Sequence, residues 1–373
     1  MKRLSAWFVA AMIVLLIPGS PDRLILEDIS LGLVFGIDVD ESNELVFYFS
    51  SPVFGKEARK KNEEYEATGS SLRQVRMKFD SLNHTLVVGG KYQVCLLGKR
   101  VLEHEDWFTL FDVLYRDAKF AVNTRIVAVD GPVEDIVYTF RKDKPPVPLH
   151  LSKLIDTADR RNLTTKTTLQ QLHRQMYERG ITPFFTFLGK RQQIEVKGTA
   201  LLNQKGKFMT EVNPEENKLL RIMQRINHKE MTLTMDIPGQ GKEKGVPIQT
   251  DKLTIVTDKV RTKIRCGYEG GKFRFAVDVQ LSGGLSERLF PFDVLKRGEE
   301  LERMIAEQLE KQFTSILGKL KKAEIDPVGF GLYARAYQYE AWKGVQNEWG
   351  KAFAQSDTDV AVHVRIRSMG SIR

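Results

Sequence analysis

Cysteine is scarce in this chain, with two in 373 residues, and that scarcity excludes a disulfide framework or a thiolate metal cluster. Cys95 lies in the apolar run 92–97 and Cys266 at the end of a strand-like segment, 263–267. An exported chain could join the two; separate half-buried thiols are the simpler reading. Histidine is equally thin. His84, His104, His150, His173, His228 and His363 are the full set, and no two stand three or four apart, so no helix face carries a metal pair. Gly-x-Ser-x-Gly is absent, which removes the nucleophile elbow. Gly329-x-Gly331 is a fragment of a dinucleotide loop, but it follows a predicted helix where that loop requires a strand. No basic tract is interleaved with aromatics, so nucleic acid is not an expected partner. No residue is assigned a catalytic, cofactor-binding or metal-binding role.

Long apolar runs are also lacking. The one candidate, Ala6 to Ile17, has 12 residues, where a bilayer span needs roughly 20. Lys2 and Arg3 precede it and Pro18-Gly19-Ser20 follows, the pattern of a secretory signal. Its shape is that of a bacterial lipoprotein signal, except that Ser20 occupies the position of the Cys that takes the lipid. A hydroxyl does not replace the thiolate that is alkylated. Residues 1–20 therefore form a signal-like segment that addresses the chain to a membrane, and everything after it is expected to face water.

Apolar content of 42% and charged content of 28% are those of a folded body. The length suggests two or three domains, placed at 21–190 and 191–373, with a further split near 230–250 left open. The formal net charge is +9 and stays basic without Lys2 and Arg3, an excess that favours an anionic membrane surface. Periodicity predicts strands at 33–37, 45–49, 87–88, 92–97 and 122–129, and a helix from Leu72, capped by Ser70 or Ser71. Residues 105–116 are amphipathic at helical spacing, and 132–140 start another helix. Lys56 to Glu66 reads as a solvated loop or a fraying helix. Lys144-Pro-Pro-Val-Pro148 reads as a stiff linker, and 156–180 as mostly polar, with one helix around Leu169 to Tyr177.

A strand–turn–strand at 194–209 leads to a helix from Pro214. Met231 to Ile237, Leu253 to Val256, Lys259 to Arg265 and Phe273 to Leu281 alternate as an antiparallel sheet would. The clearest helix is 299–322, with Leu301, Met304, Ile305, Leu309, Phe313, Ile316 and Leu320 on one stripe. The last strand sets Val360, Val362, Val364 and Ile366 on one face and His363, Arg365 and Arg367 on the other. The fold class expected is α+β, with mixed or antiparallel sheets and packed helices in successive domains.

Carboxylates offer the remaining routes to chemistry. Asp38, Asp40 and Glu41 lack the Gly and bidentate Glu of a calcium loop and read as a solvated turn. Arg116-Asp117 reads as a helix-end ion pair. Glu287 reads as a packing or interface residue. Trp342 and Trp349, seven apart, share a helix face, where burial in the core is preferred to a docking patch.

Several of these residues together resemble the Ger(x)C family, the C subunits of spore germinant receptors. Gly19, Asp22 and Arg23, then Gly36-Ile37-Asp38, follow the family's mature start; Ser20 stands for its lipidated Cys and Pro21 for its Trp. Near the other end Asp326, Gly329, Phe330, Gly331, Trp342, Lys343, Trp349 and Phe353 follow the family's order, and Val360 to Gly370 its last strand. The resemblance spans nearly the whole chain. It implies a non-enzymatic extracytoplasmic receptor subunit needed for nutrient-triggered germination, without a cofactor. It also implies two polytopic partners, an A and a B subunit, and a place on the extracytoplasmic face of the spore inner membrane. An extracytoplasmic small-molecule-binding protein is the alternative.

Overall fold

The computed structural model describes residues 29–53, 62–82, 86–88, 90–139, 146–226, 230–239 and 250–368. The signal-like segment with Ser20, residues Asn83-His84, His228, the first part of the proline run and the Gly-rich loop from 240 lie outside the described residues.

The strands β1 (Ile29–Leu31), β2 (Val34–Val39), β3 (Leu45–Pro52) and β4 (Asn62–Thr68) open the chain, followed by the helix α1 (Leu72–Leu82). Ser71 Oγ accepts from the Gln74 N–H at 3.3 Å, as the cap reading requires. Residues 62–66, expected in a loop or fraying helix, instead belong to the edge strand β4, whose backbone pairs with β3. Next come β5 (Leu86–Val88), which pairs with β1, then β6 (Val94–Gly98), a 3₁₀ stretch over Glu105–Phe111, α2 (Asp112–Arg116), β7 (Arg125–Asp130) and α3 (Val133–Val137). The helix α4 (Val147–Arg160) precedes β8 (Thr167–Thr168), α5 (Leu169–Tyr177), β9 (Phe184–Lys190), β10 (Ile194–Leu202) and β11 (Phe208–Val212).

Nine of these strands form one mixed sheet in the order β11-β10-β9-β7-β6-β2-β3-β4, with β8 added beside β7. Its centre is parallel, β2-β6-β7-β9, and an antiparallel hairpin extends each side. Parallel strands are covered on both faces, so their sequences run apolar without alternation. Val94 and Leu96 pack on one face with Val133, Ile136, Leu151 and Ile155 from α3 and α4. Cys95 and Leu97 pack on the other with Phe79, Trp107, Phe111 and Leu172. The division expected at 190/191 falls in the turn between β9 and β10, so this sheet continues across it.

One correction follows from α4. The proline run expected to be a linker is helical from Val147 onward. Proline is tolerated in a first helical turn, where its missing N–H has no partner to lose. The polar stretch after it is interior: Asn162, Thr164, Thr165 and Thr167 are all buried. Thr164 Oγ1 donates to the Gly198 carbonyl at 2.6 Å, Thr199 Oγ1 to Asn217 Oδ1 at 2.7 Å, and Asn217 Nδ2 to the Asn162 carbonyl at 2.8 Å. A buried polar group that finds its partners costs little.

The remaining elements are α6 (Pro214–Met223), β12 (Met231–Asp236), β13 (Lys252–Glu269), β14 (Lys272–Arg288), α7 (Val294–Lys322), α8 (Phe330–Tyr337), α9 (Tyr339–Val345), α10 (Trp349–Ala354) and β15 (Asp357–Ser368). The second sheet is β12-β13-β14-β15. The two segments read separately at 253–256 and 259–265 are one strand, β13. A bulge between Thr257 and Lys259 shifts the phase of its alternation. Gly283 faces that bulge, and a Cβ there would collide with the backbone of Val256 and Thr257. This sheet is mixed, because β15 returns parallel to β14 after a crossover through four helices. The stripe of α7 lies in the core from Leu301 to Leu320 as its period requires.

One ion pair gives this fold a pH signature. Arg125 Nε and Nη2 donate to Asp156 Oδ1 and Oδ2 at 3.0 and 2.8 Å, and Lys166 Nζ adds 3.2 Å. Burial raises the Asp156 carboxyl, but Arg125 and then Lys166 outweigh it and hold it below the usual carboxylate range. A carboxyl depressed in the folded state adds stability above its unfolded pKa of about 3.9, and that stability is lost as pH falls through the folded value. Urea unfolding between neutral pH and about pH 3 should show a smaller acid loss in Asp156→Asn than in the parent. Equal losses would remove this pair from the acid response.

Candidate functional site

The residues that looked most suggestive in the sequence prove to be clamps. Asp38 is buried and does not lie in a solvated turn. Its Oδ1 accepts from the Val39 N–H at 2.8 Å and its Oδ2 from the Val133 N–H at 2.9 Å, where α3 begins. Arg100 Nε stands 3.7 Å away. Gly98 leaves room for this carboxylate, since a Cβ there would overlap it. Asp40 stays at the turn and accepts from the Glu44 N–H.

Asp326 is fully buried at the end of α7. Its Oδ1 accepts from the Gly329 N–H at 2.8 Å; its Oδ2 accepts from the Gly331 N–H at 2.9 Å and from Trp349 Nε1 at 2.8 Å. Gly329 has φ +89°, the left-handed region open to glycine. Trp342 and Trp349 are both buried. Arg116 pairs with Asp112 one helical turn back, at 2.7 Å, and its expected neighbour Asp117 instead accepts from the Lys119 N–H. Glu287 is exposed and accepts from Thr254 Oγ1 at 3.4 Å. Cys95 and Cys266 are free thiols in different sheets. Among the described residues, no three His, Cys, Asp or Glu side chains converge on a metal-sized site.

A different surface stands out, and it is built by β13, β14 and β15. Alternation sends Val260, Ile264, Val277, Val279, Val362 and Val364 inward against α7 and the short helices. The opposite face is open. There Lys259, Arg261, Lys263 and Arg265 project from β13 and His363, Arg365 and Arg367 from β15, all exposed. Register sets them in rows: Lys259 and Arg365 flank Ser282, and Arg261 and His363 flank Gln280. A shallow open cleft of about 350 Å³ is lined by these two rows.

Acidic residues lie mainly toward one end of this face, where Asp278 is in register with Lys263, Asp359 shares the row of Arg265 and Asp357 stands 3.7 Å from Arg274. Asp278 also lies 3.6 Å from His363 Nε2, and Asp258 lies 3.7 Å from Arg367 Nη1 and accepts from Ser282 Oγ at 2.6 Å. Among the described residues no carboxylate lies within 4 Å of the charged groups of Lys259, Arg261, Lys263, Arg265 or Arg365. The β15 edge is closed by α7, whose Glu310 and Glu302 accept from the N–H groups of Val362 and Ile366 at 2.9 and 2.7 Å. The period-two cations were legible at both strands. Their adjacency was not, because it depends on the crossover that lays β15 alongside β14.

This is an α+β protein with two mixed sheets, whose carboxylates Asp38 and Asp326 are structural and whose second sheet carries a row of exposed cations on each of two strands. Residues 22–190 match the family model described as spore germination protein N-terminal domain. Residues 197–370 match that described as spore germination B3/GerAC like, C-terminal. The spore germination protein GerQC of Bacillus cereus is 20% identical over 377 residues, covering 99% of each chain. The crystal structure of the GerBC protein matches with a TM-score of 0.55 at 16% identity, covering 89% of this chain and 96% of that one. The chain belongs to the Ger(x)C family of spore germination proteins.

Proposed function

We propose that the chain is the extracytoplasmic C subunit of a spore germinant receptor. It assembles with two polytopic subunits, A and B, on the outer face of the spore inner membrane, and acts by binding rather than by catalysis. The succession of both family matches along nearly the full chain carries this reading. Two observations support it. The family's signature carboxylates, Asp38 and Asp326, are buried and accept from backbone N–H groups and, for Asp326, from Trp349 Nε1. The open cationic sheet face offers a contact surface without a reaction centre.

The small-molecule alternative finds less support. An aromatic cavity between α1 and the large sheet, lined by Phe35, Phe49, Phe79 and Tyr92 among others, holds about 40 Å³. That is room for about three water molecules.

Affinity capture of the chain from detergent-solubilised spore membranes, with mass spectrometry of what co-purifies, tests the assembly. Recovery of a permease-like protein together with a second polytopic subunit is expected. Recovery of the chain alone, in the soluble fraction, would overturn it.

A further inference from the structure

We propose that the open face of the second sheet docks on the headgroup layer of an anionic phospholipid membrane. The proposal deepens the receptor-subunit reading and rests on it for the nearness of a membrane.

Charge is the first reason. Lys259, Arg261, Lys263, Arg265 and Arg365 share one face, and none has a carboxylate within 4 Å of its charged group among the described residues. Asp278 in register with Lys263 and Asp359 in the row of Arg265 temper that end of the face, so the excess is greatest around Lys259, Arg261 and Arg365. Like charges set close together repel one another, and an anionic layer relieves that repulsion. Each Lys or Arg brought near such a surface adds to binding, and the attraction fades within a Debye length.

Shape is the second reason. From Lys259 to Arg265 the strand spans roughly 20 Å, and three strands set roughly 10 Å of width. The platform is rigid, because its inner side is core and its β15 edge is sealed by Glu302 and Glu310. What the face lacks selects the partner. Tight protein interfaces draw their energy from buried aromatic and aliphatic anchors, and none of the exposed large apolar side chains sits among these cations. Headgroups need no such anchor.

The test uses the full chain with vesicles of phosphatidylcholine alone, and with vesicles of three parts phosphatidylcholine to one part phosphatidylglycerol. Stronger co-sedimentation with the anionic vesicles, weakening as salt is raised, is expected. The apolar segment at 6–17 should bind both vesicle types alike, so the difference between them reports the charge. The triple variant Lys259→Gln, Arg261→Gln, Arg365→Gln should lose about fivefold per cation, roughly a hundredfold in all. A parallel triple variant, Lys205→Gln, Lys252→Gln, Lys351→Gln, should lose far less. All but Lys252 are exposed and Lys252 is half-exposed at a strand end, so both variants should keep thermal unfolding close to the parental one.

Equal binding to both vesicles, or anionic binding that survives the sheet-face variant, would overturn the proposal. Capture from spore membranes separates it from the reading beneath it. A sheet-face variant that still recovers the polytopic subunits but loses the vesicles supports membrane docking. One that keeps the vesicles and loses those subunits assigns the face to a protein partner and overturns the proposal. A parent chain that binds anionic vesicles through this face yet recovers no polytopic subunit leaves the docking standing and sinks the receptor reading.

Discussion

Asp326→Ala should lower the free energy of unfolding by about 3–5 kcal/mol, read from urea midpoints at constant slope. The substitution removes both oxygens that receive Gly329, Gly331 and Trp349, and all three donors lie inside the protein, where water does not replace the lost acceptor. The same residue ties the halves of the chain together through its backbone: its N–H donates to Thr182 Oγ1 at 3.0 Å and its carbonyl accepts from the Thr182 N–H at 2.9 Å. Those bonds survive the mutation, so the predicted loss belongs to the side chain alone.

Asp326→Asn should cost less than Ala, because it keeps one acceptor oxygen and sheds the buried charge. It also exposes the sign of the pH effect. Burial pushes the Asp326 carboxyl up, against the Trp349 and backbone donors that pull it down. With the folded value above the unfolded one of about 3.9, the folded state holds the proton longer, so stability from this group declines as pH rises through that window. The Asn variant should lack that decline. A loss below about 1 kcal/mol on Asp326→Ala would mean that the turn is held by its glycines and not by the carboxylate.

Those glycines are themselves demanding. A Cβ on Gly331 would stand 2.6 Å from the Gly180 Cα and 2.7 Å from Trp349 Nε1. The Asp-Pro-Val-Gly-Phe-Gly order was therefore legible as a motif, while its physical meaning, a backbone crossing against the loop after α5, was not. Other elements divide along the same line. The α7 stripe and the strand read at 33–37 were legible because burial of one helix face, or of a central strand, writes a period or an apolar run into the sequence. Helix α4 was hidden because proline in a first turn and proline in a linker look alike. The polar stretch around Thr164, Thr165 and Thr167 did not announce its burial, because a satisfied interior polar group has the same composition as a solvated one. The cationic face was half legible: each row alternates visibly, but no local pattern says that Lys259 and Arg365 meet across Ser282.

Arg221→Met should cost about 3–5 kcal/mol, and Asp159→Leu made together with it should recover most of that loss. Arg221, on α6, is only 2% exposed, and its Nη1 donates to Asp159 Oδ1 of α4 at 2.5 Å and to the Thr164 carbonyl at 3.0 Å; its Nε donates to the Ile226 carbonyl at 2.9 Å. Removing one charge of a buried pair strands the other, which is the costly case; replacing both by apolar groups of similar volume is close to neutral. Asp159 keeps the Lys166 N–H at 3.1 Å as a donor in the single variant, which places the expected loss toward the lower end of the range. The pair spans the point at which the sequence suggested a division, since α4 lies on the large sheet and α6 packs against both sheets. If the two sheets unfold together, fluorescence from Trp107 in the first half and from Trp342 and Trp349 in the second should report one transition in the parent and in the double variant. The single variant should shift that transition as a whole. A split into two transitions on Arg221→Met would instead make this ion pair the tie through which two otherwise independent bodies share their stability.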